Sequence, residues 1–242
     1  MNIFRWIFPA NQHVPTITLL ALLCPFFANA RVIPAMTHLG DTAIRHLVIP
    51  ADITEIGEMA FADCFNLEHI EFAPGSRLKE IGRSAFAGCT ALKEIVLPET
   101  IKKLNPHAFA YCFSLEKAIL PNGLESIGNN AFSECRGLRE AILPESVTLL
   151  ESYAFSGCIS IKRAVLPANS SLLGELIFSG CRNLEEIIEL SPIPPEFDCK
   201  SFIFEPDEDK LYDRCKLIVA AGKEESFRKA QGWKLFRRIS SE

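Results

Sequence analysis

The string A-F-x-x-C, or a close variant, recurs at Phe61/Cys64, Phe86/Cys89, Phe109/Cys112, Phe132/Cys135, Phe155/Cys158 and Phe178/Cys181, at a spacing of 23 residues broken once. Six in-register copies of an aromatic and a thiol are the signature of a stacked repeat, in which each unit buries its apolar face against its neighbours. Most of these residues therefore report architecture rather than chemistry.

Aligned on their apolar alternation, the units begin at Leu47, Ile70, Ile95, Ala118, Ala141, Ala164 and Ile187. The one longer unit carries its two extra residues near Pro74-Gly75-Ser76, where a turn can lengthen without disturbing a stack. Within the unit from Leu92 to Leu115, Leu92-x-x-Ile95-x-Leu97-Pro98 alternates with period two, as in a short strand. Ile101-x-x-Leu104 follows as an extended segment, and Ala108-Phe109-x-x-Cys112-x-x-Leu115 places apolar groups at the spacing of a helical turn. The proline after each strand (Pro50, Pro74, Pro98, Pro121, Pro144, Pro167) removes a donor and limits the strand to about three residues.

These observations predict an α/β repeat: a curved solenoid with a parallel sheet of short strands, one per coil, short helical turns opposite, and the Phe row in a shared interior. Residues 47–189 hold about six to seven coils of 23 residues, residues 31–46 form a leading cap, and residues 190–242 a terminal cap. Ile177, Ser170 and the aperiodic run 189–197 mark the loosening of the repeat. In the terminal segment, Lys216 to Ala220 reads as a last strand and Lys223 to Gln231 as a helix stopped by Gly232. Trp233 and Phe236 are expected to fold back onto the last coil.

Residues 1–30 read as a secretory signal peptide: Arg5 precedes the apolar run from Ile17 to Phe27, and Ala28-Asn29-Ala30 supplies a small-x-small cleavage pattern. Pro25 and the shortness of the run oppose the competing reading as a membrane anchor. Leu23 stands where a lipoprotein site at Cys24 would want a small residue. Removing this segment takes away Arg5 and no acid, so the net charge moves from −5 to −6. With no basic cluster, that balance argues against nucleic acid as a partner, and no second segment suggests a membrane span.

The combined pattern L-x-x-I-x-L-P followed by I-x-x-I-G-x-x-A-F-x-x-C, clearest from Leu115 to Cys135 with Ile127-Gly128 and Ala131-Phe132, resembles the BspA-like leucine-rich repeats. Ser191-Pro192-Ile193-Pro194-Pro195 and Gly232-Trp233-Lys234-Leu235-Phe236 are similar to the ends of secreted bacterial members. The resemblance runs from about residue 44 to the C-terminus. It implies a surface or secreted location (exported, cell-surface or periplasmic) and an adhesive role toward host or bacterial surface proteins, such as fibronectin and fibrinogen. It supplies no catalytic motif and no transferable ligand residues.

Eight cysteines remain after the leader. Equivalent positions on stacked coils lie close enough for a disulfide, but their parallel Cβ vectors disfavour its dihedral, so the six ladder thiols are expected free, as small hydrophobes. Cys199 and Cys215 are the one pair singled out for a bridge. No histidine stands at ligand spacing from this sulfur, and no metal or cofactor is expected.

The outward side chains define what a partner could touch. One row reads His69, Glu94, Lys117, Glu140, Arg163, Glu186, alternating in sign, and is expected to form an ion-pair ladder; Glu68, Lys93, Glu116 and Arg139 alternate beside it. The next row is Val48, Glu71, Val96, Ile119, Ile142, Val165, Ile188. Either β-propensity or binding accounts for it, since five consecutive coils would make an apolar stripe of the size that marks a partner site. The candidate binding residues are Val96, Ile119, Ile142, Val165 and Ile188 with Lys117, Glu140 and Arg163, facing a protein of the extracellular matrix or of a bacterial surface.

No nucleophile elbow, zinc-protease helix, phosphate loop or calcium loop occurs. His38, His46, His69 and His107 are spread along the chain, and the acidic stretch Glu205-Pro206-Asp207-Glu208-Asp209 reads as a solvated turn. A non-catalytic binding or adhesion module is the leading expectation. A surface glycan-binding or structural envelope protein is the alternative, and it would want exposed aromatics.

Overall fold

The structure, a computed structural model, describes residues 31–169, 172–197, 203–204 and 210–241. The leader reading of residues 1–30, Ser170, Cys199 and the acidic stretch 205–209 fall outside the described residues.

The coils stack as parallel strands with few helices. The strands at the start of each unit are β2 (His46–Ile49), β4 (His69–Phe72), β6 (Glu94–Val96), β8 (Lys117–Ile119), β10 (Glu140–Ile142), β12 (Arg163–Leu166) and β14 (Glu186–Glu189). They continue into β16 (Lys216–Val219) and β17 (Arg238–Ser241). All pairings are parallel, and the partners of β2–β4 are 23 residues apart, as His46 with His69. The longer coil disturbs the next pairing, so β4 and β6 share only the His69–Glu94 position.

A second parallel sheet runs beside the first. It contains β1 (Val32–Ile33), β3 (Glu55–Ile56), β5 (Glu80–Ile81), β7 (Lys103–Leu104), β9 (Ser126–Ile127), β11 (Leu149–Leu150), β13 (Leu172–Leu173) and β15 (Glu196–Phe197). The extended segment of each coil thus becomes a strand of two residues.

The helical turns expected opposite the strands are not helices. Each A-F-x-x-C segment holds two left-handed residues four apart, as at Met59 and Asp63, Ser84 and Gly88, His107 and Tyr111, or Asn130 and Glu134. A left-handed residue ends right-handed helix, so the segment alternates its backbone partners instead. Ala60, Ala62 and Cys64 donate three residues back within the coil, while Met59, Phe61 and Asp63 donate to Arg83, Ala85 and Ala87 of the next coil, at 2.7–2.9 Å for these inter-coil bonds. The same pattern recurs at Ser84, Phe86 and Gly88 and at His107, Phe109 and Tyr111. Turns that would otherwise strand their amides are therefore hydrogen-bonded from coil to coil.

Inside, the six phenylalanines form one column. Successive rings from Phe61 to Phe178 are stacked with centroids 5.3–5.6 Å apart, and all are buried. His38 heads the column, its ring 5.2 Å from Phe61 and nearly parallel to it. Each ladder thiol donates to a carbonyl of the preceding coil: Cys64 to His38, Cys89 to Phe61, Cys112 to Phe86, Cys135 to Phe109, Cys158 to Phe132 and Cys181 to Phe155, at 3.1–3.3 Å. Cysteine suits the position because it fills a small apolar space and still carries a weak donor. Among the described residues, neither these six thiols nor that of Cys215 forms a disulfide.

The terminal segment extends the repeat beyond what its sequence predicts. Strand β16 matches the expected last strand, but β17 is added, and both continue the registers Glu186–Lys216–Arg238 and Ile187–Leu217–Ile239. Two short helices accompany them, α1 (Leu211–Arg214) just before β16 and α2 (Glu224–Lys229) between β16 and β17. Trp233 is fully buried against Phe227 and Phe236, and its indole donates to the Pro195 carbonyl at 2.9 Å.

Candidate functional site

The outward side chains of the first sheet form the candidate site. Val96, Ile119 and Ile142 are 50%, 39% and 49% exposed, Val165 is half-buried, and Ile188 is 4% exposed. The five-coil stripe is thus three coils long, and Ile188 is not available to a partner.

Strand pairing explains the difference. Ile188 lies in a closed stretch of sheet between Val165 and Ile218, its cross-strand neighbours, and β-branched side chains so placed shield one another. Val96 has no paired residue on the β4 side, where only His69 and Glu94 are in register. Ile119 and Ile142 flank a break: the strand run is divided into one sheet ending at β8 and another beginning at β10. The inward residues at that break are Ala118 and Ala141, which bury little to hold the strands together. Ala141 and Ala164 stay paired, so alanine permits the opening without dictating it.

The backbone records the seam in detail. Leu97 donates to the Ile119 carbonyl and Leu143 to the Val165 carbonyl, both at 3.0 Å, yet no bond joins Leu120 to Ile142. The seam closes at one end, where Arg139 donates to the Glu116 carbonyl at 3.3 Å and the two side chains form an ion pair. A groove of about 560 Å³ opens there, lined by Ile119, Ile142, Ala118, Leu120 and the charged residues Glu116, Lys117, Arg139 and Glu140.

The charge ladder is likewise partial. Lys117 Nζ lies 3.5 Å from the Glu94 carboxylate, but the seam separates Lys117 from Glu140. Among the described residues no ion pair joins Glu140 to Arg163 or Arg163 to Glu186, although their Cα positions are in register. Exposed pairs contribute at most about 1 kcal/mol, too little to hold long solvated side chains together. In the adjoining row the charges pair in twos, Arg45 with Glu68, Glu116 with Arg139 and Lys162 with Glu185. The alternating row ends in cations, Lys216 and Arg238, on the added strands.

Sequence reasoning assigned most phenylalanines to the interior and missed an exposed aromatic group on the turn side. Phe65, Tyr111 and Phe113 are exposed, Tyr111 and Phe113 meet edge to face at 6.3 Å, and the Arg136 guanidinium lies 4.6 Å above the Phe113 ring. The available signal was position: Phe65 and Phe113 each follow the ladder cysteine, a place filled elsewhere by Thr90, Arg136 and Ile159. His46 and His69 face each other on adjacent strands, with centroids 6.0 Å apart, and His46 approaches Glu71 at 3.7 Å. His107 is half-buried, and burial first, then Arg83, lowers its pKa.

Buried titratable groups belong to the framework. Burial pushes the Cys64 and Cys215 thiols up to about 12, and drives Cys89 and Cys135 upward as well. Glu189 occupies a core position in register with Leu166 and Val219. Its Oε1 accepts from the Ser191 amide at 2.9 Å and from the Ser191 hydroxyl, while Oε2 has no partner, and burial raises the carboxyl to about 7. Among the described residues no cluster of histidine, cysteine and acidic groups could hold a metal ion, and no helix is long and apolar enough to cross a membrane.

Parallel coils that share a column of leucine, phenylalanine and thiol, and present short strands outward, define a leucine-rich-repeat solenoid. The chain belongs to the BspA type of this class: the model of the BspA type leucine rich repeat region matches residues 31–117 and 102–193, with six copies. It is similar to the leucine-rich repeat protein TpLRR of T. pallidum, at 28% identity and TM-score 0.51, over 69% of this chain and 65% of that one. The pneumococcal vaccine antigen PcpA aligns at 17% identity and TM-score 0.49, over 82% of this chain and 68% of its own. A leucine-rich repeat protein of Bacteroides ovatus aligns at 25% identity and TM-score 0.46, over 87% and 64%. The chain therefore spans about two thirds of each. No curated protein matches it.

Proposed function

We propose that this chain is a non-catalytic protein-binding module of a bacterial cell surface or exterior, and that it engages its partner through the open face of the first sheet. The observation that carries this reading is the apolar group Val96, Ile119 and Ile142, exposed on consecutive coils and edged by Lys117, Glu140 and Arg163. Exposed β-branched side chains grouped in this way, with a polar rim, suit a protein interface. Family membership supports the same reading. The partner is a protein of the extracellular matrix or of another bacterial surface.

The test compares the purified protein with the double substitution Ile119→Ser and Ile142→Ser. Both are incubated with matrix and bacterial surface extracts, and co-eluting proteins are identified by mass spectrometry. Loss of a specific partner in the variant at an unchanged thermal midpoint supports the proposal. Equal capture by both proteins counts against it.

The exposed Tyr111, Phe113 and Arg136 favour a second reading, recognition of glycans on the turn side, because sugar faces stack on exposed rings. Glycan-array binding that survives the Ile119/Ile142 double substitution but is lost in Tyr111→Ala with Phe113→Ala would select this alternative.

A further inference from the structure

In a continuous parallel ladder the Ala118 and Leu120 amides would donate across to the Glu140 and Ile142 carbonyls, and the Ile142 amide back to Ala118. Among the described residues the Leu120 bond is missing and β8 and β10 are not paired, while β6–β8 and β10–β12 pair on either side. The sheet therefore has two free strand edges in its interior, facing each other across the groove beside Ile119 and Ile142. A strand edge with unpaired amides and carbonyls is a template for another extended chain. Strand addition draws affinity from main-chain hydrogen bonds and selectivity from alternate side chains.

We propose that the seam takes an extended segment of a partner protein by strand addition, one apolar side chain of the segment seating between Ile119 and Ile142. This rests on the protein-binding reading of the open face. The segment is basic rather than acidic. Lys117, which a continuous ladder would set beside Glu140, lies 3.5 Å from Glu94 instead, and Arg163 makes no ion pair with Glu140, so the Glu140 carboxylate stands at the groove unpaired. Glu116, at the closed end, is already engaged by Arg139.

The probe is a capped hexapeptide of alternating threonine and valine carrying one lysine, titrated into the purified protein by calorimetry and amide NMR. Its counterpart is the same peptide N-methylated at alternate amides, which keeps every side chain and removes main-chain donors. The expected result is binding weaker by about tenfold or more for the methylated peptide. The Ala118, Leu120 and Ile142 amides gain protection with the unmethylated one only, and exchanging its lysine for glutamate weakens binding at low salt. Equal binding of the two peptides, or binding of neither, overturns strand addition. The double substitution Ile119→Ser and Ile142→Ser separates the two readings. If both peptides bind the wild type equally and both lose the variant, the open face remains an interaction surface and strand addition fails.

Discussion

Leu120 and Ile142 stand in the relation that joins Leu97 to Ile119 and Leu143 to Val165, where an amide donates to a carbonyl of the following coil at 3.0 Å. Between Leu120 and Ile142 that bond is missing, and Ile119 and Ile142, which flank the gap, are exposed. The groove and the interruption of the sheet are one feature.

The phenylalanine column sets stability, so Phe109→Ala is expected to destabilise by about 3 to 5 kcal/mol. Phe113, four residues on and 38% exposed, makes the comparison: Phe113→Ala removes its contacts with Tyr111 and Arg136 and is expected to cost about 1 kcal/mol, well below Phe109→Ala. Urea unfolding of the two variants measures both, and similar costs would mean that the ring column is not the shared core.

The first four ladder thiols, Cys64, Cys89, Cys112 and Cys135, are expected to be chemically silent. Burial raises Cys64 to about 12 and holds its Sγ against the His38 carbonyl, so little reactive thiolate forms near neutral pH. Alkylation at pH 8 followed by mass spectrometry is expected to leave Cys64, Cys89, Cys112 and Cys135 unmodified in the folded protein and to label all of them in denaturant.

Glu189 gives the stability a defined pH dependence. Its folded pKa of about 7 lies above the ordinary 4.5, so the folded state favours the protonated acid. The stability it permits is fully present below pH 4.5 and is lost as pH rises through 7, a difference of about 3 kcal/mol. The groups bearing on it are Ser191, which bonds Oε1, and Glu145, whose charge adds to the upward shift. Glu189→Gln is expected to be markedly more stable than wild type at pH 8 and nearly equal to it at pH 4, as followed by thermal unfolding.

The column was legible because the same residue types return at the same depth: Phe86, Phe109 and Phe132 recur at a fixed spacing, and each has a leucine before and a cysteine after it. The turns were misread because the apolar spacing of Ala108, Phe109, Cys112 and Leu115 fits a helical turn as well as two tight turns. Asp63, Gly88, Gly157 and Gly180, which share one position, carried the left-handed signal. The second sheet escaped because two residues are too few to display a period. The seam is invisible in sequence altogether. Leu115 to Leu120 reads L-E-K-A-I-L and Leu138 to Leu143 reads L-R-E-A-I-L, patterns as regular as the paired I-K-R-A-V-L of the next coil. Burial of Ile188 is equally hidden, since it depends on neighbours contributed by Lys216–Val219, well outside its own unit.

Amide hydrogen exchange resolved by residue tests the open seam most directly. In the free protein, Leu97 and Leu143 are expected to exchange slowly, as amides bonded within the stack, while Ala118, Leu120 and Ile142 exchange orders of magnitude faster. Protection of those three amides equal to that of Leu97 and Leu143 would mean that the sheet runs unbroken through Ile119 and Ile142, and would contradict the account.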